Sequence, residues 1–459
     1  MKDTKRRMEL YTFFDHTGIS KHLEEMAQKG WMLEKITSFF WVYRRIEPRK
    51  LQFAVSYYPK ASEFDPEPSE NQKTFHDFCE HAGWKLVCTA AQMQVFYNEE
   101  EHPVPIETEP ELELQAIVTS AKKNFIPVHI MLLLLAFWQE GMLIYSSLEN
   151  PIGLFANAAQ LTVGTAFLPV AILCIVELGN YFIWRSKATK AAAQGIFLDV
   201  PNTSKFQKWM LMILLTATIW WILNIVMYEN ASQIWIMAII LIYTFVIIAL
   251  VNGLKGLLKR RKVPRGINLA VTVIAAFVLT FLMTGVVAFF AMTISEAGDA
   301  QKAGETEASL SQGEVPLSIE ALVDVEQQEY STDRITISES VLLGEFAISQ
   351  YPQFETEDYP NLPWLEYTVV DVKVPFLYGI CKNQLIREQK ERYPDYERAY
   401  RPEDADAWGA KEVYRSYDTV AGAQNRYLLC YDTLLVEIKF DWEPSDEQMK
   451  TVAECFASA

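Results

Sequence analysis

The sequence has no excess of basic charge: 41 Lys and Arg stand against 58 Asp and Glu, a formal net charge of −17. A nucleic-acid binder needs a basic surface over the phosphates, so direct nucleic-acid binding is not expected. Walker loops, dinucleotide glycine patterns, nucleophile elbows, HExxH and paired CxxC motifs are all missing. No catalytic residue, cofactor-binding residue or metal ligand can therefore be assigned, and an enzyme is not the expected class. No cleavable signal peptide is expected either, because MELYTFF before Asp15 is too brief an apolar stretch. The first membrane helix is then expected to act as the targeting signal.

What the chain does have is long apolar runs. Five stretches of about 20 residues, each able to cross ~30 Å of hydrocarbon as a helix, follow one another. They are Phe125–Tyr145, Ala158–Ile183, Trp209–Met227, Ile234–Val251 and Ile267–Ile294. Basic residues alternate between the connecting loops. Lys122 and Lys123 precede the first span; Arg185, Lys187, Lys190, Lys205 and Lys208 follow the second. Lys255, Lys259, Arg260, Arg261, Lys262 and Arg265 lie between the fourth and fifth, whereas Ser146–Asn157 and Tyr228–Gln233 hold no Lys or Arg. The positive-inside rule predicts a multi-pass plasma-membrane protein with a cytoplasmic N-terminus and an extracytoplasmic C-terminus.

Charge divides along the same lines. Residues 1–124 balance to −4, residues 125–294 to +6 and residues 295–459 to −19. Three environments are expected: a cytoplasmic lobe at 1–115, a membrane segment at 125–294 and an extracytoplasmic lobe at 316–459. A small-residue acidic linker is expected at 295–315. The predicted fold class is α+β in both lobes.

An internal repeat organises the first lobe. LEEMAQKGWMLEKITSFFWVYRR recurs loosely as HDFCEHAGWKLVCTAAQMQVFYN, aligning Met26 with Cys79, Gly30 with Gly83, Trp31 with Trp84 and Leu33 with Leu86. Val42 and Tyr43 then align with Val95 and Phe96. Each copy reads as a helix, a glycine able to adopt the left-handed conformation at its end, and a strand opening at Trp. Strands are expected at Glu9–Phe14, Trp31–Ile46, Leu51–Tyr58 and Trp84–Tyr97. That order predicts a ferredoxin-like sandwich.

The EEMAQKGWMLEKI junction, the strand FFWVYRRIEPRKLQFAVSYYP and the second AGWKLV together resemble the bacterial family known as domain of unknown function 2812. The resemblance covers roughly the first hundred residues. It implies a cytoplasmic α+β module attached to membrane helices, with a regulatory role and no catalytic residues to carry over.

Five of the six histidines (His16, His22, His76, His81 and His102) fall in this lobe. His76, Cys79 and Glu80 share a helix face at a spacing that can ligate a metal. Because Cys79 aligns with apolar Met26, packing is the preferred reading. Within the spans, Glu140 and Glu177 are the functional candidates, at different depths and so not paired. Glu177 is expected to engage Asn180 or a neighbouring helix. The KGLLKRRKVPR loop can fix topology or bind anionic lipid. Five crossings without an inverted repeat disfavour a solute transporter.

In the last lobe, Leu365–Val374 reads as a strand, the following residues to Tyr393 as a helix, and Arg426–Phe440 as a hairpin turning near Asp432. Ser445 and Gln448 form a capping box. Glu403, Asp404 and Asp406 read as part of a solvated acidic face. Among Cys381, Cys430 and Cys455, a Cys381–Cys430 disulfide is open. The expected function is a non-enzymatic transducer in the lipid bilayer. An extracytoplasmic ligand or protein would act on the outer lobe, and a cytoplasmic regulatory protein would meet the inner one. The alternative is an accessory or assembly subunit of a membrane transporter or envelope enzyme.

Overall fold

The structure is a computed structural model that describes residues 3–37, 40–200, 204–228, 231–309, 316–324, 330–352, 362–392 and 398–457. The chain divides into two compact units. The first holds Met1–Trp138, Ala166–Ile219 and Ile236–Phe290; the second holds Gln139–Thr165, Trp220–Trp235 and Ala291–Ala459.

The first unit opens with two βαββ modules. One is β1 (Thr4–Arg7), α1 (His16–Gln28), β2 (Trp31–Ile36) and β3 (Trp41–Arg45); the other is β4 (Gln52–Tyr57), α2 (Glu70–His81), β5 (Lys85–Ala90) and β6 (Met93–Asn98). Each builds its own antiparallel sheet, ordered β1-β3-β2 and β4-β6-β5. The repeat is thus realised strand for strand. Leu33 pairs with Tyr43 as Leu86 pairs with Phe96, and a bulge follows at the same place, at Glu34 in one copy and Val87 in the other. Gly30 and Gly83 sit at φ +80 and +86 at the ends of α1 and α2. Asp15 caps α1 by accepting from the Gly18 N–H at 2.9 Å, and Ser69 caps α2 by accepting from that of Gln72 at 3.3 Å.

Two expectations are corrected here. The ferredoxin-like arrangement requires one four-stranded sheet, whereas β4 pairs with β6 and opens a second module. The first strand is Thr4–Arg7 rather than Glu9–Phe14. Residues 9–14 instead run irregularly into the Asp15 cap, which frees Phe14 to bury its ring.

After α3 (Pro110–Lys123) the long helices follow: α4 (Phe125–Glu149), α5 (Pro151–Ala156), α6 (Ala158–Thr165), α7 (Leu168–Ala192), α8 (Ser204–Tyr228), α9 (Ala231–Arg260) and α10 (Arg265–Ser309). Among the described residues five stretches are long and apolar enough to cross a membrane: Pro110–Glu149, Leu168–Ala192, Ser204–Asn224, Ala238–Arg260 and Arg265–Val286. Large apolar side chains such as Trp138, Phe277 and Phe281 point out of the chain, as lipid-facing residues do. The second apolar run breaks before Leu168 because Pro169 lacks the N–H an uninterrupted helix needs and fits the first turn of a new one. α10 continues through 295–309, where a linker was expected, because Ala, Glu, Gln and Lys all favour helix. Residues 310–315 of that linker lie outside the described residues.

The second unit is built on a seven-stranded antiparallel sheet ordered β10-β11-β12-β13-β9-β8-β7. Its elements are β7 (Tyr330–Glu339), β8 (Leu343–Pro352), β9 (Leu365–Val372), α11 (Tyr378–Arg392), β10 (Ala399–Glu403), β11 (Glu412–Asp418), β12 (Gly422–Cys430), β13 (Leu434–Phe440) and α12 (Asp446–Phe456). Alternation along the strands serves two cores. Tyr367, Val369, Tyr427, Val436 and Ile438 pack with Trp408 and α12 on one face. Val370, Val372, Leu428 and Leu435 pack with Leu377, Cys381 and Leu385 around α11, and with Ile152 and Ala156 of α5, on the other. The capping box at Ser445 and Gln448 has both arms.

Candidate functional site

The first unit contains a joint where its α+β modules meet the head of the membrane helices. One hydrophobic core runs from Phe14, Ile19, Leu23 and Val55 to Ile117, Ala121 and Phe125, and on to Tyr181, Trp184 and Ala188 of α7. Aromatic rings carry the contact. Phe14 stacks on Trp184 at 5.2 Å between centroids and meets Tyr181 edge-on at 5.4 Å and Phe125 at 6.0 Å. Such pairs contribute ~0.5–1.5 kcal/mol each beyond area burial.

His16, beside Asp15 at the start of α1, is buried at the edge of these rings. Its Nδ1 lies 3.1 Å from the Phe14 carbonyl and its Nε2 3.2 Å from Glu113 Oε1. Both neighbours only accept hydrogen bonds, so the ring satisfies both as an imidazolium that donates from each nitrogen. Burial pushes the imidazole pKa down, but the hydrogen bond and charge of Glu113, with the Phe14 carbonyl, outweigh it and the pKa is raised. The void beside His16, lined also by Pro110, Glu113 and Trp184, measures only about 10 Å³. That space admits a water at most, so the joint is a packed contact and not a ligand pocket.

Polar ties reinforce it. The Val200 N–H donates to Thr17 Oγ1 at 3.1 Å, Lys21 pairs with Asp199 at 2.9 Å, and Asn124 Nδ2 donates to Gln92 Oε1 at 2.9 Å. Tyr57, wholly buried, donates to the Phe13 carbonyl. Further along α7, buried Glu177 accepts from Gln207 Nε2 at 3.1 Å, so its partner is on α8 and is not Asn180.

His129 packs its ring 4.2 Å from that of Phe125, whereas His22, His76 and His81 stand apart. His22 lies 3.1 Å from buried Glu9, which also pairs with Arg7 at 3.0 Å. Burial raises the Glu9 pKa, but His22 and Arg7 more than offset it and hold the carboxyl low. His76 engages Gln94 Oε1 at 2.9 Å, and His81 the Asp77 carbonyl at 2.7 Å. Cys79 packs with Trp84 and Phe96, its thiol pushed up to about 12 by burial. The His76, Cys79 and Glu80 set therefore does not converge. Among the described residues no group of three His, Cys, Asp or Glu side chains is placed to hold a metal.

The second unit carries a cavity of about 320 Å³ lined by Lys373, Tyr378, Lys411, Glu412, Cys430 and Asp432. That volume is at the lower end for small-ligand sites. Lys382 pairs with Glu412 at 3.1 Å and Lys411 with Asp432. Cys430 is a free thiol held at about 11 by burial and is a poor nucleophile at neutral pH. Cys381 shares its core, while Cys455 packs on the opposite face of the sheet. All three are unbridged.

α11 links this cavity to the first membrane hairpin. Tyr378, its first residue, lines the cavity and donates to the Tyr431 carbonyl at 2.6 Å. Farther along, Gln384 donates to Asn150 Oδ1 at 2.8 Å and accepts from the Ile152 N–H at 2.7 Å. Arg387 donates to the carbonyls of Leu148 at 3.1 Å and Glu149 at 2.7 Å. A lone Gln and Arg on a polar helix gave no sequence signal of this grip, because their partners are backbone groups and an Asn far away along the chain.

These features define a class: α+β modules built into a polytopic membrane protein. Residues 15–128, the N-terminal region, match the family described as protein of unknown function, DUF2812. The match runs from α1 through α3 into α4, so it includes His16, Glu113 and Phe125 of the joint but not Phe14, Tyr181 or Trp184. No curated protein and no solved structure matches the chain.

Proposed function

We propose that the chain is a non-enzymatic membrane transducer in which the state of the C-terminal lobe is passed through the first membrane hairpin to the N-terminal modules. The observation that carries this reading is α11: one helix lines a ligand-sized cavity with Tyr378 at its start and holds the end of α4 and the start of α5 with Gln384 and Arg387 farther along. α4 begins at Phe125, a member of the joint core. A shift of α11 on ligand binding would thus displace a helix whose other end packs on Phe14 and Tyr181. The alternating basic loops support placing the N-terminal modules in the cytoplasm and the acidic C-terminal lobe outside.

The test is crosslinking in intact cells of proteins bound to residues 1–115, with and without residues 316–459. A transducer predicts a changed set of captured proteins when the C-terminal lobe is removed. An identical set under every envelope stress applied would overturn the reading.

A further inference from the structure

The last turns of α9, the turn after it and the first residue of α10 carry Lys255, Lys259, Arg260, Arg261, Lys262 and Arg265, and the structure shows what occupies part of this basic segment. An acidic loop of the second βαββ module sits against it. Lys255 pairs with Glu63 at 2.9 Å, Lys262 with Glu67 at 2.5 Å and Arg265 with Asp65 at 3.9 Å. Backbone contacts fix the seating: Arg265 donates to the Lys60 carbonyl at 3.2 Å and Asn268 to that of Phe64 at 3.2 Å. The two loops enclose an open cleft of about 640 Å³, lined by Lys255 and Lys259 on one side and by Ser62, Glu63 and Glu67 on the other.

One observation shows that this occupancy is incomplete, and a second shows that the contact already made is held under backbone strain. Lys259, Arg260 and Arg261 are exposed and have no ion-pair partner among the described residues, so half of the cations stay unmatched. Lys262 ends α9 at φ +55, with the Val263 N–H on the Leu258 carbonyl at 3.1 Å, a place glycine normally takes. A lysine at this strained position spends conformational energy to hold its charge where Glu67 meets it.

We propose that this turn is a binding surface for anionic phospholipid headgroups, and that the Glu63–Glu67 loop is the chain's own competing occupant. A turn joining two membrane-crossing helices lies at the bilayer surface, where anionic lipids supply the missing negative charge. Each basic residue close to such a surface contributes about fivefold in binding. Headgroups gather first on Lys259, Arg260 and Arg261, then draw Lys255 and Lys262 away from Glu63 and Glu67. The surface lipid composition thereby sets whether the second module is docked. This is independent of the transducer reading, since docking can respond to lipid whether or not the modules have an output.

The test uses the full chain in bilayer nanodiscs of phosphatidylcholine alone or mixed with phosphatidylglycerol at matched ionic strength. A zero-length carbodiimide couples Lys262 to Glu67 and Lys255 to Glu63, and mass spectrometry reads the yield. The expected result is a high yield in phosphatidylcholine that falls several-fold with phosphatidylglycerol. Lys259→Gln/Arg260→Gln/Arg261→Gln should keep the yield in phosphatidylcholine and lose most of the lipid response. Lys262→Gly preserves the turn, and should make the Lys255–Glu63 yield more sensitive to lipid. A yield unaffected by phosphatidylglycerol, a lipid response intact in the triple variant, or no coupling in phosphatidylcholine would each overturn the proposal.

Discussion

His16 shows how a single side chain can make the joint depend on pH. Its folded pKa is raised above an unfolded value near ~6.5, so its contribution is fully present below that value. The contribution is lost as pH rises through the folded value. The thermal midpoint of the full chain should therefore drop from mildly acidic to alkaline pH, and His16→Gln should flatten that part of the profile. An unchanged slope would contradict the assignment. Glu113→Gln should cost about 1.5–3 kcal/mol at mildly acidic pH, the range for hydrogen bonds to charged groups. In the second unit, Arg426 grips Glu437 with two bonds of 2.6 and 3.1 Å, and Tyr400 adds a third at 2.5 Å. Removing the cation alone leaves a nearly buried carboxylate uncompensated, so Arg426→Leu should cost about 3–5 kcal/mol in denaturant unfolding. Arg426→Leu/Glu437→Leu should recover most of that loss; additive losses would show that the pair is not coupled.

At the scale of elements, the repeat makes its own comparison. A Cβ at Gly30 would lie 2.9 Å from the Ile46 carbonyl oxygen, a backbone atom that cannot turn aside. At Gly83 it would lie 3.0 Å from Asn98 Nδ2, the end of a side chain. Both alanine variants carry the left-handed cost of roughly 1–2 kcal/mol, and Gly30→Ala should exceed Gly83→Ala in thermal unfolding. Equal losses would mean that the close approach to Ile46 relaxes freely. Much of this level was legible in the sequence. The Gly-Trp junctions and the capping box at Ser445 follow from local pattern, whereas Trp31–Ile46 and Trp84–Tyr97, each expected as one strand, fold as the hairpins β2–β3 and β5–β6. The partner of β4 was not legible, since an alternating strand states which face it buries but not which neighbour it joins. β1 was hidden because TKRR has no apolar alternation, α5 because Ser146–Asn157 read as the loop between the first two spans, and α6 because Ala158–Ile183 read as one long span. Of the joint, Phe14 and His16 were visible as residues, but Glu113 and Trp184 reach them only through the fold.

For the whole molecule, five apolar helices and two α+β units account for the composition that an average over the chain conceals. The five apolar helices could be read because membrane insertion imposes a length rule that acts locally along the chain. The grip of α11 on the first hairpin could not, because Gln384 and Arg387 bind a distant Asn and backbone atoms that leave no pattern. That grip is also where the transducer account is most exposed to test. The direct measurement is hydrogen exchange on the full chain in nanodiscs, comparing the wild type with Gln384→Ala/Arg387→Ala. If the hairpin connects the cavity lobe to the joint, protection should change several-fold in peptides covering α1 and α3 while β11–β13 stay protected. Changes confined to α4, α5 and α11, with α1 and α3 unaltered, would contradict it.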